Sequence, residues 1–312
     1  MSVALSKQRS PQRSGGRSRA SVLARDLVSR WSFMIPATVL LAAVLAYPLL
    51  YTLQISLSHF DLASFGPGSW VGLENYTDAL ANESFQNSLA VTSVYLLLAL
   101  PLQIVLGFAI AFVMNAEWRG RGVVRALFLI PMVVAPVVSG GIWKMLLDPL
   151  WGVVGWMTSL VGLPPVNWFG DATMSMISVV IIDTWRSVPF VALIASAALL
   201  ALPKDVFEAA AVDGANWWQT LWRISLPMLA PIIAATFIVR WLGAVKMFDI
   251  VLATTNGGPG QATNVVNLYI YQQAFRLLRF SESSAMAVIV LVLTTLLTLA
   301  FLWGSKKLED RL

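Results

Sequence analysis

Asp183 and Arg186 stand three residues apart inside 173–200, a stretch that is otherwise apolar, and Arg240, Lys246 and Asp249 interrupt a second such stretch at 228–252. On a helix, residues three apart share a face, so the carboxylate and guanidinium of the first pair can meet. In hydrocarbon each charge costs at least about 2.5–3.5 kcal/mol, so every one of these residues needs a partner or a polar cavity. Two kinds of chemistry fit Asp183 and Arg186. They neutralise each other and lock their helix, or they line a solute path and offer hydroxyl groups a forked set of donors and acceptors. Lys246 and Asp249 repeat the spacing near an outer helix end, where a long side chain can snorkel to the interface. Arg240 lies deeper, with no carboxylate one turn away. Lys144 near Asp148 reads as a surface pair, and Pro101 with Gln103 as a kink whose freed backbone groups are met by neighbouring helices.

The residue inventory argues against chemistry of other kinds. There is no cysteine, the single histidine, His59, falls in a loop, and carboxylates do not cluster, so no metal site, no cofactor and no acid–base machinery are expected in this chain. No G-x-x-x-x-G-K-[ST] phosphate loop occurs either.

The elements that must position the charged residues follow from composition. Of 312 residues, 58% are hydrophobic and 12% charged, against about 25% charged in soluble domains, so the fold class is all-α and polytopic in a membrane. Runs free of Asp, Glu, Lys and Arg at 31–58, 84–116, 126–143 and 283–305 each approach or exceed the ~20 residues needed to cross a bilayer. With the two interrupted stretches they make six spans. The apolar run after residue 30 exceeds a signal-peptide core and lacks a small-residue cleavage site, so it reads as a retained first helix.

Loop charges orient the spans. The tail 1–30 carries Lys7, Arg9, Arg13, Arg17, Arg19, Arg25 and Arg30 among Ser, Gln and Gly and reads as disordered. With Arg119, Arg121, Arg125, Lys204, Arg223, Lys306, Lys307 and Arg311 it puts fifteen basic residues on one side, against Arg276 and Arg279 on the other. The basic side is cytoplasmic, and so are both ends, the tail and 307–312. The net charge of +5 is therefore topological and implies no nucleic acid. The Gly-rich "TTNGGPG" at 254–260 is an external turn, and Trp151, Trp156 and Trp168 are interfacial belt residues.

One charged passage lies on the cytoplasmic side, "EAAAVDGANWWQTLWRISLP" at 208–227. Pro203 suits a helix start, Lys204 to Val212 can run as one short helix, Asp213-Gly214 is a turn signal, and Asn216 with Gln219 forms a capping-box pattern. Val206, Phe207, Ala210 and Ala211 share one face, leaving Glu208 and Ala209 toward another. The tryptophans of 217, 218 and 222 seat the second helix on the bilayer, and Pro227 opens the fifth span. The result is an elbow at 203–226 facing the cytosol.

Glu208-Ala209-Ala210, Gly214 after three residues, and Ile224, Leu226 and Pro227 after nine more match the EAA signature of bacterial ATP-binding-cassette importer permeases at every defined position. The stretch from Asp183 to Ala215 and the loop from Ala253 to Phe275 are similar to the maltose-type carbohydrate permeases, and the likeness extends over about residues 30–306. The resemblance implies a type I importer permease fold of six helices over 31–306 in the bacterial inner membrane. It also implies as partners a second permease subunit, two ATP-binding subunits holding ATP and Mg, and an extracytoplasmic solute-binding protein. Glu208, Ala209, Ala210, Asp213 and Gly214 would then couple to the ATPase. Asn256, Gly257, Gly258 and Pro259 would help receive the binding protein. Asp183, Arg186, Ser187, Phe190, Arg240, Gly243 and Ala244 would face the solute, although the mapped sugar site of the family has neutral polar and aromatic groups at several of these positions. The implied cargo is a sugar or oligosaccharide. Polyols and glycerol 3-phosphate belong to the same class, and two arginines would suit an anion. A secondary carrier is the rival, disfavoured because no internal repeat is visible.

Overall fold

The computed structural model describes the backbone of residues 19–309 apart from positions 62, 117, 163 and 165, and the side chains of 34–305 outside those positions. The chain divides into two compact units, Met1–Thr52 and Leu53–Leu312. Helix α1 (Arg19–Ser56) contains Pro36 and Pro48 and is long and apolar enough to cross a bilayer from Met34 onward. Positions 19–30, which composition assigns to the tail, are thus helical, and the tail before Arg19 lies outside the described residues.

The second unit opens with a hairpin where only a loop is legible in the sequence. Strands β1 (Ser58–Asp61) and β2 (Gly66–Trp70) pair antiparallel, and Phe60 N donates to Ser281 Oγ at 2.7 Å. Helix α2 (Glu74–Ala81) leads to α3 (Glu83–Asn115), whose start is fixed by Asn82, its Oδ1 accepting from Phe85 N at 3.0 Å.

The third expected span is not one helix. It breaks into α4 (Arg121–Val133) and α5 (Pro136–Leu146), bent by 105°, so five helices qualify as spans and a sixth only if the bent pair counts as one. The cause is Pro136, which disfavours helical geometry at the residue before it: Ala135 is extended at φ −60°, ψ 140°. Hydrophobic continuity hides such a break. Short α6 (Val153–Leu160) follows, then α7 (Ala172–Leu200), whose N-terminus is capped by the Asp171 carboxylate accepting from Thr173 and Met174 N at 3.0 Å each.

Helices α3 and α7 pack against each other over much of their length. A Cβ at Gly107 would lie 2.4 Å from Val191 Cγ1, so the missing side chain permits this approach. Phe108, Ala111, Ala195 and Leu229 pack with Val191 there, and Tyr95, Ala99, Val179, Ile182, Ile250 and Leu268 belong to a second, larger core cluster. Gly140 of α5 serves the same purpose, its open position lying against Ala253 and Ile250.

After α7 come α8 (Lys204–Val212), α9 (Trp217–Thr220), a π-helical turn Leu221–Ser225, and α10 (Leu226–Val245), the last three forming one continuous run. Pro227 cannot donate to Arg223 and its ring crowds that carbonyl; the wider π turn just before it lets the helix pass through. The fifth span therefore runs 217–245 and not 228–252. It stops at Lys246, and Asn267 Nδ2 donates to the Val245 carbonyl. Lys246 and Asp249 flank this break and do not pair, nor do Lys144 and Asp148. Short α11 (Asp249–Ala253) and α12 (Val266–Tyr271) precede a second π turn, Gln272–Arg276, and α13 (Phe280–Glu309) closes the fold.

Candidate functional site

The charged residues of α7 and α10 meet in one buried cluster. Asp183 Oδ2 accepts from Tyr95 OH at 2.7 Å, Gln103 Nε2 at 2.7 Å and Arg240 Nη2 at 3.2 Å. Its Oδ1 accepts from Ser187 Oγ at 3.2 Å and Arg186 Nη2 at 3.5 Å. Arg240 is held again by Gln103, whose Oε1 accepts from Nε at 3.0 Å and Nη2 at 2.7 Å. One carboxyl group thus ties α3, α7 and α10 together. Its two oxygens offer about four lone-pair sites, and five donors address them.

The outcome differs from the reading by spacing. Arg186, three residues from Asp183, makes the longer of the two ion pairs, while Arg240 finds its carboxylate on another helix. Asp183, Ser187, Arg240 and Ala244 are buried, Arg186 and Phe190 half-buried, and Gly243 exposed. Sequence reasoning missed Tyr95 and took Gln103 only as part of a kink. Gln103 carried a usable signal, a polar amide deep in an apolar span, which was absorbed into the kink assigned to Pro101. Tyr95 carried none, because a tyrosine in a span reads equally well as an interfacial residue.

The passage at 203–226 folds through local hydrogen bonds. Gly214 N donates to Ala211 O at 3.1 Å and Ala215 N to Ala210 O at 2.9 Å, which closes α8 with a Schellman motif and requires the left-handed φ of 74° at Gly214. The capping box forms, with Gln219 N donating to Asn216 Oδ1 at 2.9 Å and Asn216 N to Gln219 Oε1 at 2.8 Å. Ala210 packs inward, and Glu208, Ala209 and Asp213 face outward. Arg125, read as a topological charge, also donates to the Met114 carbonyl and, at 3.2 Å, to Asn115 Oδ1. Asn115 Nδ2 in turn reaches Ser196 O at 3.2 Å, joining α3, α4 and α7 at the end that leads into α8.

The Gly-rich turn at 254–260 is tightly constructed. Asn256, Gly257, Gly260 and Gln261 all have positive φ, Thr255 and Thr263 hydroxyls meet at 2.6 Å, and Thr263 donates to Gly258 O at 2.7 Å. Asn256 is exposed and accepts from Arg276 Nη2 at 3.1 Å, Gly258 and Pro259 are half-buried, and Gly257 is packed against Asn264. In the loop after α5, the N–H groups of Leu150 and Trp151, each 2.9 Å from Asp148 Oδ1, hold the Asp148 carboxyl below the usual carboxylate range.

Comparison with known proteins shows the family and the fold. The family described as "Binding-protein-dependent transport system inner membrane component" matches residues 103–312. The trehalose/maltose transport system permease protein of Thermococcus litoralis is 33% identical over 278 residues, covering 89% of this chain and 94% of the relative. The trehalose transport system permease protein of Mycobacterium tuberculosis is 32% identical over 263 residues, 84% of each chain. A crystal structure of a bacterial ABC transporter involved in import of the acidic polysaccharide alginate superposes with a TM-score of 0.80 at 22% identity, covering 91% of this chain and 98% of the other, and shares the fold. With its apolar helices, its fold and these relatives in agreement, the chain belongs to the family of inner-membrane components of binding-protein-dependent transport systems.

Proposed function

We propose that the chain is the permease subunit of an ATP-driven importer that moves a sugar or oligosaccharide into the cytoplasm. The observation that carries this reading is identity of 32–33% to permeases named for trehalose and maltose over 84–89% of the chain. ATP and Mg are handled by two separate ATP-binding subunits, a second permease subunit completes the path, and an extracytoplasmic binding protein delivers the solute. The elbow 203–226 is the handle for the ATPase, with Glu208, Ala209, Ala210, Asp213 and Gly214 shaping it, and its outward-facing charges support that role. Both chain ends are cytoplasmic, as the distribution of Lys and Arg requires. Asn256, Gly257, Gly258 and Pro259 then lie on the external side, where the preformed turn receives the binding protein.

The mechanism follows from connectivity. Helix α8 is joined to α7 through residues 201–203 and leads through α9 into α10. A tilt of α8, driven by closure of the ATPase dimer, pulls on the two helices that carry Asp183, Arg186, Ser187 and Phe190 on one side and Arg240, Gly243 and Ala244 on the other. The test is purification with the chain tagged, followed by reconstitution in vesicles. An ATPase is expected to copurify, and uptake of trehalose or maltose to need ATP and the binding protein; uptake indifferent to ATP would overturn the reading.

A further inference from the structure

Asp183 is saturated, but the two arginines it holds are not. Arg240 spends Nε and Nη2 on Gln103 and Asp183, while Nη1 has no partner among the described residues and is not sealed from solvent. Beside Nη1 stands Gly243, an exposed helical position where an added Cβ would meet only that nitrogen, at 3.5 Å. Arg186 makes a single 3.5 Å bond to Asp183; its side chain is 24% exposed, but its unpartnered Nε is buried.

Resting on the solute path proposed above, we infer that Tyr95, Gln103 and Asp183 are positioning residues that aim the Arg240 guanidinium, and that solute oxygens meet its free Nη1 edge beside Gly243, not the carboxylate. Bidentate acceptance by Gln103 Oε1 fixes the rotation of the Arg240 fork, so the direction of Nη1 is set by a residue that never touches the solute. A carboxylate already addressed by five donors has no lone pair left for a hydroxyl. Guanidinium edges only donate, so the chemistry they take is an oxygen acceptor, a sugar hydroxyl or an acidic sugar's oxyanion. Glycine at 243 keeps the approach open.

The test uses the complete transporter in vesicles with its loaded binding protein, and maltose, trehalose and glycerol 3-phosphate as probes. Gly243→Leu covers Nη1 at an exposed position without disturbing the cluster. Uptake is expected to fall about tenfold or more, the equivalent of one lost hydrogen bond to a charged group, while ATP hydrolysis stimulated by the binding protein persists. Val239→Leu, an exposed neighbour, should transport normally. A larger loss for glycerol 3-phosphate assigns the edge to an oxyanion, and a larger loss for the sugars assigns it to hydroxyls. Gln103→Met, close to isosteric, leaves Arg240 Nε and Nη2 without their shared acceptor and should lower thermal stability, and in complexes that assemble it should also lower solute moved per ATP. Should Gln103→Met fail to assemble, Gly243→Leu still decides, and wild-type uptake in Gly243→Leu overturns the inference. A wild-type complex that imports none of the three probes overturns the proposed function instead.

Discussion

The elbow and the cluster around Asp183 are both polar passages in a chain that is 58% hydrophobic, and they satisfy their polar groups over different distances. In the elbow the hydrogen bonds that shape the turn link residues three to five apart, from Asn216 with Gln219 to Ala215 with Ala210. In the cluster the links from Asp183 to Arg240, Gln103 and Tyr95 cross 57, 80 and 88 residues. The difference teaches how each region can be used. A segment capped by its own neighbours keeps its shape outside the lipid and can leave Glu208 and Asp213 for a partner. A charge in the membrane has no such freedom, and its environment must come from other helices.

The contrast breaks most severely at Gly214. Gly214→Pro cannot reach a φ of 74° and removes the N–H that closes α8 on Ala211, so transport is expected to vanish while the chain still inserts. Uptake at wild-type rate with normal membrane levels would show that the elbow's shape is unimportant. In the cluster the loss should fall on stability first. Asp183→Ala strands two arginines and should cost about 3–5 kcal/mol, read as lost thermal stability of the purified chain, whereas Asp183→Asn with Arg240→Gln should recover most of it. No recovery in the double variant would mean that the charges do more than balance each other.

Accessibility sharpens the comparison without loss of function. In a chain with no cysteine of its own, a cysteine at Gln261 should react with an impermeant reagent in intact cells and one at Val212 only after the membrane is opened. A cysteine at Thr263, fully buried two residues away, should stay unlabelled in both, which separates the side of the membrane from burial. The smallest effect belongs to Asp148. Its carboxyl is held below its unfolded value, so its contribution to stability is complete above about pH 4 and disappears as pH falls through the folded value. Asp148→Asn should flatten that part of the acid-unfolding profile; an unchanged profile would show that the loop contributes nothing to unfolding.

Much of the architecture was legible from residues in order. Helices α3, α7 and α13 fall where uncharged or nearly uncharged stretches of sufficient length stand, and α8 begins and ends where Pro203 and Asp213-Gly214 place it. Hydropathy missed the break in the third span because Val134 and Ala135 are as apolar as their neighbours and only the backbone geometry before Pro136 changes. It misplaced the fifth span because Pro227 reads as a helix start, whereas a π turn carries the helix through it. In the candidate site, Asp183, Arg186 and Arg240 were identifiable as costly charges, but the pairing chosen by sequence spacing was the weaker one.

The sequence by itself determined the apolar spans, the sidedness argument and the form of the elbow, because transfer out of water and short-range hydrogen bonding depend on residue type and neighbours along the chain. Only the tertiary structure decided that Arg240 answers Asp183, that Gln103 and Tyr95 complete the cluster, and that Arg240 keeps one edge free beside Gly243. Such pairings depend on how far each helix is rotated and how deeply it is set against the next. Contacts like that of Gly107 with Val191 fix those rotations, and no spacing along the chain encodes them.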